Sequence, residues 1–372
     1  MDTTSRSPLL APSTAEVGLL ALSGAALGLA ACVRIPAMLT SPEVRGMYPA
    51  ALPRDALNLL AVASLISWTV AVVGRHVRRR TAAIGAALAA LAVSLAAEPG
   101  VASARPGDGL ISLDWLVLDT LVVGLVVIPL ERWVALRRSV LLRPQWGTDL
   151  RYFVVNHLGL HGVGTLAVLI SSGALAREQR IGGASMLAGL PLPVQVLLLL
   201  LAADLVQYAL HRAMHENPWL WRIHAIHHSS EHMDALAGSR IHVAETLLTR
   251  TAVYAAIAAL EPRFEAFLGY AAVIAFQGTF IHVNSRLRYG WLEHFVVSPR
   301  FHHWHHASDR AAIDTNYAGT FPWIDRLFGT HHLPAENAWP ERYGVLRETV
   351  PTGLLAQQWF PFRAGGCTHD PR

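Results

Sequence analysis

The sequence predicts an all-α protein: a polytopic integral membrane bundle of about six spans plus a helical hairpin, capped on its cytoplasmic side by a histidine-rich region. Three observations lead to this class. The chain of 372 residues is 53% hydrophobic and only 15% charged, with mean hydropathy +0.36, which is too apolar for a soluble domain. Apolar runs close to the length of a bilayer-crossing helix recur from residue 17 to residue 281. Of the 19 histidines, 13 fall between His211 and His306, and most of these stand at helical spacing.

Taken in order, the first span is 17–33, closed by Arg34 and Pro36. Residues 56–73 and 81–97 follow, separated by the basic patch Arg75, His76, Arg78, Arg79 and Arg80. After a Pro/Gly-rich connection comes 113–130, with Asp114 and Asp119 in its first turns, and then 152–172 and 190–210. Two further apolar stretches, 247–260 and 264–281, are separated by Glu261-Pro262-Arg263, which reads as the turn of a helical hairpin that enters the membrane and returns. The run Leu29-Ala30-Ala31-Cys32 imitates a lipoprotein cleavage box, but the nearest upstream positive charge, Arg6, is too distant for a signal peptide, so 17–33 is read as a span.

Arginine bias orients these spans. The connection at 75–80 and the segment carrying Arg132, Arg137, Arg138, Arg143 and Arg151 are the most basic, so both are expected in the cytoplasm. Alternating from there brings 190–210 inward and delivers His211 to the cytoplasmic face, and the hairpin returns His282 to the same side. A net charge of +4 with no arginine run interleaved with aromatics fits basic membrane loops and excludes a nucleic-acid face. The two cysteines, Cys32 and Cys367, have no partner at metal-ligand spacing and make no disulfide framework.

The histidine groups are HRAMH at 211–215, HAIHH at 224–228 and HHWHH at 302–306, with His282 alone between the last two. Residues three and four apart share a helix face, which selects His211 and His215; His224, His227 and His228; and His302, His305 and His306. His303 is turned by about 100° from its neighbour and is left out. Packing does not ask for imidazole at this spacing in three separate segments, whereas metal binding does. One ion rarely takes more than six protein ligands, so nine imidazoles imply two ions with open positions. Asn217-Pro218 and Ser298-Pro299 are the N-cap and first-turn signals for the helices carrying the second and third groups.

The remaining histidines stand outside these groups. His242 belongs to no group and is a candidate tenth ligand, or a hydrogen-bonding partner behind the ligands; with Arg240 and Glu245 it lies at the start of the hairpin, where charge at a membrane edge tends to be functional. His157 and His161, four apart in an expected span, suit a substrate path and polar packing equally. His331 and His332 fall in an expected loop, and His76, His232, His294, His303 and His369 read as ordinary surface or interfacial residues.

In its order of motifs the chain resembles the fatty acid hydroxylase and sterol desaturase superfamily, in particular a bacterial sterol desaturase-like branch. Beyond the histidines, Asp204, the stretch PWLWRIHAIHHSSE, the run SRIHVAE and the run NYAGTFPWIDRLFGT carry the likeness, which extends over about 113–347. The resemblance implies three parts: an N-terminal membrane region at 1–112, a di-iron domain at 113–347 and a tail at 348–372. It implies two iron ions, Fe2+/Fe3+, held by His211, His215, His224, His227, His228, His282, His302, His305 and His306, with the di-iron centre itself catalytic. Asp204, Arg240, Glu245, Asn316 and Asp325 are expected in supporting or structural positions. The implied activity is hydroxylation or desaturation of a lipid C–H position with O2 as co-substrate, on a sterol-like, isoprenoid or long-chain acyl lipid, in the bacterial inner membrane. No HPGG-like haem loop or cysteine cluster is present, so electrons are expected from a separate ferredoxin-like or small haem protein with its reductase.

Two other classes compete. A membrane zinc metallohydrolase also uses H-x-x-x-H, but it needs the glutamate of H-E-x-x-H, which HRAMH and HAIHH lack. A non-catalytic metal-binding membrane protein would place its ligands at mid-membrane or in flexible tracts, not in short capped helices at span ends.

Overall fold

The computed structural model describes residues 14–34, separate helical positions between 57 and 92, and residues 113–138, 142–158, 187, 189–334, 338–346 and 349–363. The chain divides into two units, Met1–Val126 and Val127–Arg372. Among the described residues regular structure is helical throughout, the one β feature being an isolated bridge between Ala307 and Tyr343.

In the first unit α1 (Thr14–Arg34) packs on α2 (Leu113–Val122). A side chain at Gly28 would come within 2.7 Å of Val117, so the small residue permits the close approach. Ser23 accepts from Trp68 Nε1 at 2.7 Å and shares a hydrogen with Ser64 at 2.6 Å, which satisfies polar groups inside an alanine-rich core. Much of the expected spans 56–73 and 81–97 lies outside the described residues. The expected span 113–130 is helical throughout, with a π-helical turn at Val123–Val127 before α3 (Ile128–Trp133).

The second unit is built on α5 (Leu192–Glu216), which follows α4 (residues 146–158). At 25 residues α5 is long and apolar enough to cross a membrane, and it is the one such helix among the described residues. Its length of about 37 Å exceeds a hydrocarbon core of about 30 Å by a little over one turn, and the last two turns carry His211 and His215. The expected hairpin is present as α7 (Val243–Ala259) and α8 (Phe264–Phe280), both packed along α5. Leu199, Leu200 and Ala203 meet Val253, Ile257 and Tyr270 in this seam. At the far end the buried Gln195 accepts the Arg263 amide at 3.0 Å and donates to Leu190 O at 2.9 Å, tying the hairpin turn to the start of α5.

Two capped helices follow the predicted signals. In α6 (Pro218–His228), Asn217 Oδ1 accepts the amides of Trp219 and Leu220; in α9 (Pro299–His305), Ser298 Oγ accepts that of Phe301. The short α10 (Pro322–Phe328) ends at Gly329, whose φ of +74° is the left-handed conformation that glycine supplies. The chain closes with α11 (Leu354–Trp359) and a 3-10 turn, Phe360–Phe362.

Candidate metal centre

The end of α5, α6, the segment just after α8 and α9 converge, and the eight histidines selected by spacing are buried there together with His282. They divide into a group of five, His211, His215, His224, His228 and His305, and a group of four, His227, His282, His302 and His306. Within each group the ligand-type nitrogens lie within 4.8 Å of one another. The division follows helix geometry. Residues four apart are offset by about +40° and residues three apart by about −60°. In α6 the i, i+4 pair His224/His228 joins the first group while His227 turns to the second; in α9 the pair His302/His306 joins the second while His305 turns to the first.

Ring orientation is set from outside the cluster. Nδ1 of His211 donates to Tyr317 O at 2.7 Å, that of His227 to Arg240 O at 3.2 Å, that of His282 to Gly278 O at 2.8 Å and that of His305 to Thr315 O at 2.7 Å. His224 uses Glu245 at 2.9 Å and His215 uses Asp314 at 3.3 Å. A hydrogen fixed on Nδ1 leaves Nε2 as a bare lone pair facing inward, the tautomer a metal-ligating histidine needs.

Burial and the neighbouring imidazoles hold His227, His228, His302 and His306 well below the ordinary histidine range. Burial is the main cause that brings His282 to about 4 and His305 to about 3. Neutral His227 and His282 therefore face each other through two lone pairs 3.4 Å apart, with no hydrogen to share. His305 Nε2 is buried without a hydrogen-bond partner. Lone pairs packed in this way are costly in a dry interior and are satisfied by a cation among them. An imidazole–metal distance of about 2.1 Å places neighbouring ligand atoms about 3 Å apart and opposed ones about 4 Å apart, and contacts such as His211–His224 and His282–His302, both 3.0 Å, match that spacing.

The other residues singled out by sequence stand behind the cluster. Asp204 accepts the amides of Gly319, Thr320 and Phe321, and Asp325 accepts those of Tyr317 and Ala318. Asn316, at φ 61°, bridges Phe301 O and the His332 backbone. Together they fix the 315–321 loop, whose carbonyls orient His211 and His305. Arg240 lies fully buried on Asp149 at 2.5 Å, which in turn pairs with Arg143 at 2.8 Å, and the Arg240 carbonyl aims His227. Arg143 is thus an interior ion-pair member.

His242 caps α7: Nδ1 accepts from Ala244 at 3.0 Å and Nε2 donates to Gln358 O at 3.0 Å, so both ring nitrogens are engaged outside the two groups. His157 lies against Phe153 O, and His161, His76 and His369 fall outside the described residues. His303 is corrected. It is not a surface residue but a buried one, donating from Nε2 to Val283 O at 3.1 Å and accepting from Tyr343 at 2.9 Å. Rotation off the ligand face took it into the interior on the other side, because α9 is enclosed all round.

Three contributors carried no local signal. Asp149 and Asp314 are isolated carboxylates in sequence, and Gly238 matters because a Cβ there would come within 2.7 Å of His282 Nδ1.

An all-helical body that buries nine convergent imidazoles at the end of an apolar helix is a histidine-rich domain whose donor set suits transition-metal ions. Residues 196–330 match the fatty acid hydroxylase family, and over this domain the chain is similar to its members. Over 176 residues it is 35% identical to ornithine lipid hydroxylase of Rhizobium tropici, covering 47% of this chain and 53% of that protein. Human alkylglycerol monooxygenase is 32% identical over 139 residues (37% of this chain, 30% of that protein), and rat methylsterol monooxygenase 1 is 27% identical over 129 residues (34% and 43%). The chain therefore spans about half the length, or less, of these relatives. No solved structure gives a significant match.

Proposed function

We propose that this protein is an integral membrane di-iron oxygenase that hydroxylates a C–H position of a lipid. The observation that carries this reading is the pair of buried imidazole groups, five and four, whose inward lone pairs have no proton to share. Both lie at the end of a helix able to cross a bilayer. The nine histidines would hold two iron ions; with those bound, the centre supplies reductive activation of O2 in a water-poor site. The balance is RH + O2 + 2 e⁻ + 2 H⁺ → ROH + H2O, with the electrons from a separate ferredoxin-like or small haem protein and its reductase.

The chain's own part is to orient and to exclude water. Glu245, Asp314 and the carbonyls of Thr315, Tyr317, Arg240 and Gly278 keep Nε2 free. Apolar α5, α7 and α8 offer an oily substrate a route from the bilayer. The relatives are named as hydroxylase and monooxygenases of lipids, which favours hydroxylation over desaturation and a lipid over a soluble substrate. In this reading the oxygenase part runs over 113–347, 1–112 is an accessory membrane region, and about six spans with the hairpin place the metal centre on the cytoplasmic side of a bacterial inner membrane. A zinc hydrolase fits less well, since the carboxylates that touch the cluster, Glu245 and Asp314, meet the outer ring nitrogens and not the side where water would be activated.

The test is comparative lipid mass spectrometry of cells carrying the intact chain or its His211→Ala variant, grown aerobically with the reductase system present. A lipid heavier by about 16 mass units, one oxygen atom, is expected only with the intact chain. A loss of two units would assign desaturation instead, and identical extracts would refute the oxygenase reading.

A further inference from the structure

The segment after the last histidine group inverts the usual pattern of a surface helix. In α11 and the 3-10 turn that continues it, Leu355, Trp359 and Phe362 stand at i, i+4 and i+7, the spacing of one helical face. They are 73%, 66% and 66% exposed. The side turned toward the protein carries two glutamines beside the buried Pro361. Gln357 is buried, and Gln358 makes three attachments: its Nε2 donates to Tyr152 Oη at 3.1 Å, its Oε1 accepts the Val243 amide at 3.2 Å, and its carbonyl accepts from His242 Nε2 at 3.0 Å. Water selects the opposite arrangement, so the outward face requires an apolar cover.

The points of attachment say what that cover is. Tyr152 opens the apolar stretch 152–172 and Val243 is the first residue of α7, so Gln358 fastens α11 at the level where two segments read as membrane-entering begin. This step rests on the membrane reading given above. On α7, Val243 and Leu248 are likewise exposed apolar side chains. The rim is made of aromatic and arginine side chains. The 3-10 turn packs on α6, where Arg222 lies 5.8 Å over the 74% exposed Trp219 and donates to Arg363 O at 2.5 Å. Tryptophan and arginine together are the composition of the layer between hydrocarbon and headgroups.

We propose that residues 354–363 are an interfacial anchor lying in the plane of the cytoplasmic leaflet, with Leu355, Trp359 and Phe362 at the acyl boundary and Arg222 and Arg363 among the lipid phosphates. The occupant of the face is the bilayer surface, and the Gln358 attachments hold the start of α7, which carries Glu245 behind His224, at a fixed depth relative to it.

The test is site-directed spin labelling of the full chain in phosphatidylglycerol/phosphatidylethanolamine nanodiscs, with Cys32 and Cys367 replaced by serine. Single cysteines are placed at Leu355, Trp359 and Phe362, at Leu197 on the exposed side of α5, and at Arg310 in an exposed 3-10 turn. The ratio of collisions with O2 to collisions with a water-soluble nickel chelate is expected to exceed that at Arg310 by on the order of fivefold at all three α11 sites, as for side chains sunk into the acyl boundary. Aqueous ratios at the three sites with a lipid ratio at Leu197 would overturn the anchor and leave the membrane reading standing. An aqueous ratio at Leu197 as well would overturn the membrane reading itself. Protection from both reagents at the three sites would mean that protein covers the face, which also overturns the proposal. The label at Leu355 reports independently if that at Trp359 disturbs the segment.

Discussion

Replacing His303 with alanine separates a buried structural histidine from one in the proposed ligand set. The imidazole joins Val283 O, next to His282, to the Tyr343 hydroxyl; its loss leaves the buried hydroxyl without that partner, while Val283 O keeps the Ser285 amide at 2.9 Å. An unsatisfied buried group costs about 1–3 kcal/mol, and the cavity adds to it. After partial entry of water the total is about 4 kcal/mol, which for a unit of this size lowers the apparent unfolding midpoint by roughly 10 °C. Tyr343→Phe, which removes one hydroxyl, is expected to cost about 1 kcal/mol. His303 keeps its hydrogen on Nε2 through Val283, and burial pushes it down to about 3, so it stays neutral and offers the cluster no lone pair. Metal content measured by mass spectrometry at low temperature should therefore stay near that of the intact chain in His303→Ala and fall in His305→Ala. Loss of metal in His303→Ala with an unchanged midpoint would refute the assignment.

Glu245→Gln removes the charge that backs His224 while keeping an acceptor, and metal affinity read by competition with a chelator is expected to fall about 10–100-fold; unchanged affinity would show that the pair is packing alone. The metal-free protein should lose stability as pH falls from 7.5 to 5. His282 binds its proton in the unfolded chain near 6.5 but only at about 4 when folded, so the unfolded state gains protons first and stability drops through that window. At pH 5 this one residue contributes about 2 kcal/mol of loss, measured as the denaturant midpoint in a fixed lipid or detergent; a flat profile would contradict its burial as a neutral group.

Much of the candidate site was legible because helix geometry is local. Spacing alone grouped His224, His227 and His228, and the N-caps Asn217 and Ser298 located the helices that carry the second and third groups. The division into five and four was not legible, since it depends on how α6 and α9 face α5, and a shared face spans more than one direction of approach. His303 shows the same limit: the rotation rule removed it from the ligand face but could not tell solvent from interior. The acceptors that aim the rings are mostly main-chain carbonyls, of Gly278, Thr315 and Tyr317 among others, and a carbonyl leaves no trace in residue type. Asp204, Asn316 and Asp325 were visible only through the resemblance, and their work is to hold the loop that presents two of those carbonyls. Of the fold, α5 and the α7–α8 hairpin followed directly from apolar length and from the break at Glu261-Pro262-Arg263.

Two metal ions held by the nine histidines, as proposed, are read directly by metal stoichiometry. Protein purified anaerobically from iron-fed cells, quantified by amino-acid analysis and by elemental mass spectrometry, is expected to carry two iron atoms per chain, with zinc able to replace both during overexpression because imidazole suits either ion. A metal-replete preparation with a single zinc and no iron would contradict the account.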